Sequence, residues 1–162
     1  MSSDVRGTRD LTAGALVGLV AGAAAIATHA SEPFAHGGWL IAYLLLVGFL
    51  AQLLLVVGQT RLLRAEALPL LAVRIRRAQA ALWNLGVVAV PVGVLGEARI
   101  AVVVGSASLA GALFLMSRTA HDVLAGASAA PSRLAWGYTC LLIVMTVSVL
   151  VGTALAWDIP WT

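Results

Sequence analysis

Trp39-Leu-Ile-Ala-Tyr43-Leu-Leu-Leu-Val-Gly48-Phe-Leu-Ala-Gln52-Leu-Leu-Leu-Val-Val-Gly58 is the stretch on which the reading of this chain turns. It contains no Asp, Glu, Lys or Arg. About 20 apolar residues in a helix rising ~1.5 Å per residue cover the ~30 Å hydrocarbon core of a bilayer, so the segment reads as a membrane span. Four further runs share this character, near Leu11–His29, Ala78–Leu95, Ala98–Ser117 and Leu134–Trp157. The composition agrees: 61% of the 162 residues are hydrophobic and 10% charged, with a mean hydropathy of +1.00. Soluble domains carry about 25% charged residues, and this chain has too few polar groups to cover a core in water. The expected fold is therefore an all-α, polytopic membrane helix bundle forming one transmembrane domain over 1–162.

The few charges set an expected orientation. All ten basic residues are Arg, and nine of them fall on alternate ends of the spans: Arg6 and Arg9, then Arg61, Arg64, Arg74, Arg76 and Arg77, then Arg118 and Arg133. The opposite loops hold Glu32, Glu97 and Asp158, with Arg99 as their one cation. Positive residues accumulate on the cytoplasmic side, which places the N-terminus inside and the C-terminus outside, as an odd number of spans requires. In a bacterium this is the cytoplasmic membrane. Span one, preceded by Arg6 and Arg9, also has the look of a secretory signal with a small-x-small site at Thr28-His29-Ala30, but its apolar stretch exceeds the usual ~7–15 residues of a signal core. The segment 59–77 is read as a basic cytoplasmic loop in which Leu62, Leu63, Leu68, Leu70 and Leu71 mix with arginines, with Pro69 opening the helix of span three. The simple reading is an anchor that fixes topology; the other is an element lying on an anionic lipid surface. Clustered arginines without lysine do not make a generally basic surface, so nucleic acid is not an expected partner.

Several residues stand out within the spans. Gly14, Gly18 and Gly22 make two successive GxxxG steps, a face on which backbones approach closely, either between two copies of the chain or within one bundle. Amides in hydrocarbon need partners, and Gln52 and Asn84, which lies beside Gln79, reach similar depth when spans two and three run antiparallel. An interhelical Gln52–Asn84 bond is the expectation. Thr139, Thr146 and Thr153 form a stripe at seven-residue steps whose hydroxyls can bond back to their own helix. Pro91, with Gly86, Gly93 and Gly96 around it, predicts a kink. Trp39, Trp83, Trp136, Trp157 and Trp161 fall near span ends, as aromatic belts do, and the single Cys140 reads as a small core residue. His29 and His36 flank a short Ser-Glu-Pro loop with Glu32 between them, so two imidazoles could approach one haem iron or metal there, whereas His121 has only Asp122 beside it.

His36-Gly37-Gly38-Trp39 opening a span, Leu68-Pro69 in the basic loop, Arg77-Ala78-Gln79 running into Leu82-Trp83-Asn84-Leu85-Gly86, and the small-residue fourth span follow one another between Phe34 and about Ser117. In that order they resemble a segment of the haem–copper-oxidase-like membrane proteins, including the NnrS-like group linked to nitric oxide. The resemblance implies either haem binding with His36 as a ligand, or a reduced relative that keeps the bundle without the redox site. Three functions are thus expected in order: a non-enzymatic accessory or assembly subunit of a membrane complex or a homo-oligomer, a haem- or metal-binding protein using His36 and His29, and a small-solute carrier using Gln52, Asn84 and the threonine stripe. No span carries a charge at its middle, which weighs against a pump.

Overall fold

The computed structural model describes residues 4–34, 36–63, 70–126 and 133–158, with side chains over 12–34, 36–58, 74–121 and 136–150. The described residues are helical throughout apart from short turns, in the order α1 (Asp4–Ser31), α2 (Gly37–Tyr43), a π-helical stretch (Leu44–Ala51), α3 (Gln52–Leu63), α4 (Leu70–Leu95), α5 (Arg99–Gly126) and α6 (Arg133–Asp158). Among them, four segments are long and apolar enough to cross a membrane: Thr12–Ser31, Gly37–Gly58, Arg74–Leu95 and Arg99–His121. In α6 the described apolar portion is the shorter Trp136–Leu150.

Helices run past the apolar runs that reveal them. Backbone hydrogen bonding continues wherever propensity allows, whereas hydropathy reports only the stretch matched to hydrocarbon. Both ends of the segment read as a loop are consequently helical, α3 extending to Leu63 and α4 starting at Leu70. Pro69 and the side chains of Arg61, Arg64 and the neighbouring leucines lie outside the described residues. Pro91 sits inside α4 without ending it.

Two compact units, Met1–Val57 and Gly58–Thr162, divide the chain. In the first, α1 packs on the π-helical stretch and on α2. In the second, α4 packs on α5 and α5 on α6. The inner face of α4 is a run of buried positions, Arg76, Ala80, Trp83, Val87, Val90 and Val94, at alternating four- and three-residue steps, with Gln79 buried beside Ala80. Val102, Leu109, Ala112, Leu113, Met116 and Ala120 supply the buried face of α5.

Three sequence expectations change here. Trp83 is fully buried rather than part of an interfacial belt, because it shares the inner face of α4 with Gln79 and Val87; Trp39 and Trp136 are exposed, and Trp157 and Trp161 lie outside the described residues. Arg76 is buried, 8% exposed, while Arg74 and Arg77 are exposed, since a turn of ~100° per residue puts Arg76 alone on the inner stripe. Cys140 is exposed. An all-apolar run such as that around Cys140 carries no pattern from which an inward face could be read.

Candidate functional site

His29 closes α1 and His36 opens α2, one on either side of the turn that joins the two helices. α1 closes with the Glu32 N–H donating to the Thr28 carbonyl at 2.8 Å. The Phe34 N–H donates to Nδ1 of His29 at 3.3 Å, and the Phe34 ring meets the imidazole edge-on at 5.1 Å between centroids. The other wall of the imidazole is Gly37, at which a Cβ would run into the His29 ring. A neutral imidazole has one lone-pair nitrogen, and with Nδ1 accepting, the proton resides on Nε2. His29 in this geometry is an acceptor that closes the turn. His36 is exposed and left-handed, φ 62°, and its carbonyl accepts from the Leu40 N–H at 2.9 Å to start α2. Glu32 is exposed beside them. Among the described residues no group of three or more His, Cys, Asp or Glu side chains is placed to hold a metal ion. Nothing in the sequence distinguishes a histidine that caps a turn from one that binds iron; the Gly at position 37 is the one hint, since a ring needs room there.

The glycine face of α1 is engaged within the chain. A Cβ on Gly18 would lie 2.5 Å from the carbonyl carbon and oxygen of Gly48, and one on Gly22 would lie 2.7 Å from a Leu45 methyl. Both contacts are with the π-helical stretch, so of the two readings of the GxxxG steps, this pair of residues serves packing inside the first unit. Gly14 is half-buried.

Polar side chains in the spans are placed as follows. Gln52, in the first unit, is fully buried, and Asn84, in the second, is half-buried. An interhelical polar bond inside the second unit joins Gln79 and Thr119: Gln79 Nε2 donates to Thr119 Oγ1 at 3.1 Å, and that hydroxyl donates to the Leu115 carbonyl at 3.0 Å. Sequence reasoning placed Gln79 beside Asn84 but missed its partner, because a threonine near a span end looks like any other boundary residue. Trp83, one turn along α4 from Gln79, buries its indole N–H with no acceptor among the described residues.

Four further hydroxyls close on their own helices. Thr146 donates to the Leu142 carbonyl at 2.8 Å, Ser148 to Val144 at 2.8 Å and Ser108 to Val104 at 2.7 Å, while Thr28 does the same toward Ala24 at 3.0 Å. Thr139 is half-buried, and the side chain of Thr153 lies outside the described residues. The threonine stripe thus needs no ligand to be satisfied at Thr146. Beside it, α5 and α6 enclose a groove of about 200 Å3 that opens to the side and is lined almost entirely by hydrocarbon. No protein-family model, curated protein or solved structure matches this chain.

Proposed function

We propose that the chain is a five-span protein of a bacterial cytoplasmic membrane, N-terminus inside and C-terminus outside, that acts as a non-enzymatic accessory or assembly subunit of a membrane complex. The carrying observation is how the polar groups are used. Hydroxyls of α1, α5 and α6 bond back to the carbonyls of their own helices, and the interhelical hydrogen bond from Gln79 to Thr119 ties α4 to α5, so these groups are satisfied by the protein itself without a polar ligand. Residence in lipid is supported by the large apolar side chains that the packed units leave outward, among them Val17, Val20, Val88, Ile100, Phe114 and Leu150, all more than half exposed. That much outward hydrocarbon favours lipid over water as the surrounding solvent.

Purification of the tagged chain from its native membranes in mild detergent, followed by native gel analysis and an absorption spectrum, tests the reading. The expected result is migration with partner proteins, in a mass well above 16.7 kDa, and no visible chromophore. A chain that runs alone overturns the subunit role, and a Soret band lost in His36→Ala replaces it with haem binding.

A further inference from the structure

The groove between α5 and α6 has a size, a lining and a charge that together select an occupant. Its walls are Ala110, Leu113, Phe114 and Ser117 from α5 and, facing them, Thr146 and Leu150 from α6. From Ala110 to Ser117 the slot follows α5 for about 10 Å at ~1.5 Å per residue. A methylene takes up roughly the ~30 Å3 share of a water molecule in the liquid, so about 200 Å3 admits six or seven methylene groups. The threonine of the slot asks for little, because the Thr146 hydroxyl already donates to the Leu142 carbonyl.

At the Ser117 end stands a cation. Arg118 is exposed, and its guanidinium carbon sits 5.9 Å from the centroid of the Phe114 ring. Helical side chains lean toward the N-terminus of their helix, and here that lean carries the charge back along α5 over one wall of the groove. A guanidinium at the mouth of a hydrocarbon slot matches an amphiphile with an anion directly joined to an acyl chain. Arginine also presents paired donors suited to a phosphate.

On that charge complementarity we propose that the α5–α6 groove seats one acyl chain of a phospholipid, whose phosphodiester pairs with Arg118. The proposal rests on the membrane reading above. The test uses the full chain in mild detergent, stripped of lipid and titrated in native mass spectrometry with phosphatidylglycerol, with diacylglycerol of the same chains, and with inorganic phosphate. The wild-type chain is expected to retain one phosphatidylglycerol. Arg118→Gln should weaken that retention about tenfold, the scale of one charge-assisted hydrogen bond, without changing the weaker retention of diacylglycerol. Ala110→Phe, an exposed position that puts a ring in the slot, should weaken both lipids. Unchanged phosphatidylglycerol retention in Arg118→Gln, unchanged retention in a folded Ala110→Phe, or displacement of the lipid by inorganic phosphate would each overturn the proposal. Alkaline extraction of native membranes separates the two readings: a chain that resists extraction yet holds no phospholipid sinks the lipid seat alone, whereas a chain that is released sinks the membrane reading itself.

Discussion

The contact of α1 with the π-helical stretch and the contact of α4 with α5 both bring backbones within touching distance, but they are built differently. In the first unit, one position, Gly18, faces backbone at Gly48, and its neighbour Gly22 faces only a leucine side chain. In the second unit, three glycines face backbone along the seam: a Cβ on Gly86 would lie 2.8 Å from the Gly105 carbonyl oxygen, one on Gly93 2.6 Å from the Val102 nitrogen, and one on Gly105 2.8 Å from the Val90 nitrogen. The second seam also carries the Gln79–Thr119 bond. Burial follows the same order, with 50% of Arg74–Leu95 buried and 17% of Thr12–Ser31. Without a hydrophobic drive between helices in lipid, close packing and interhelical hydrogen bonds carry association. The α4–α5 seam is accordingly the longer line of backbone approach, and the α1 crossing the one that meets backbone at a single glycine.

Gly93→Leu attacks the α4–α5 seam where neither neighbour can yield, since the obstructing atoms are the Val102 nitrogen and the Ala101 carbonyl carbon. A loss of about 3 kcal/mol is expected, at the upper end for overpacking, and is measurable by denaturing-detergent titration followed by helical circular dichroism. If Gly93→Leu unfolded no earlier than wild type, the seam would not be the stable part. Gly18→Ala probes the α1 crossing and should cost about 2 kcal/mol, because the added methyl meets Gly48 backbone. Gly22→Ala meets side-chain atoms alone, chiefly Cδ2 and Cγ of Leu45, which can shift where backbone cannot, so it should cost under about 1 kcal/mol, offset in part by the helix propensity of alanine. Equal losses for the two glycines would break the distinction between backbone and side-chain contact.

The same contrast explains what could be read in advance. Apolar runs gave the helices directly, as at Trp39–Gly58, because matching hydrocarbon is a property of composition. Gly14, Gly18 and Gly22 announced a close face through their spacing, yet the spacing is identical for a partner in the chain and one outside it. Gly86 and Gly93 were visible only as company for Pro91, and Gly105 drew no notice in a small-residue span; their mutual approach depends on the register of α4 against α5. That register is set by the turn at Gly96 and Glu97, where the Gly96 N–H reaches the Val92 carbonyl at 2.9 Å and the Ala98 N–H the Gly93 carbonyl at 2.8 Å. The π-helical stretch was invisible because Leu44–Ala51 is all apolar, with nothing to mark a widened turn. The tie between His29 and the Phe34 N–H joins a side chain to backbone five residues on, a contact no periodicity encodes.

Gln79→Leu sharpens the comparison from the polar side. It removes the Gln79 donor to Thr119 while leaving that hydroxyl bonded to the Leu115 carbonyl. The expected loss is about 1 kcal/mol, in line with the ~0.6–2 kcal/mol typical of interhelical bonds in membranes. The same titration measures it, and a Gln79→Leu, Thr119→Val double variant should add little beyond the single one. A loss near that of Gly93→Leu would mean that the bond, rather than the glycine seam, holds α4 to α5.

The smallest expected effect separates the two turns. Among the described residues, each unit has one non-glycine residue in the left-handed region, His36 at φ 62° and Glu97 at φ 52°, and each lies in the turn between two helices. An L side chain there costs roughly 1–2 kcal/mol relative to glycine, part of which glycine returns through its greater freedom in the unfolded chain. Glu97→Gly and His36→Gly should therefore each raise stability by about 0.5–1 kcal/mol if both residues serve only their turns. Their difference is informative because His36 is also the candidate ligand. A gain at Glu97 matched by a gain at His36, with unchanged association in native gels, makes the histidine a turn residue that any left-handed former can replace. A gain at Glu97 but a loss of stability or of bound chromophore in His36→Gly would show that the imidazole contributes something the backbone strain offsets, and the first unit's turn would then be the functional one of the pair.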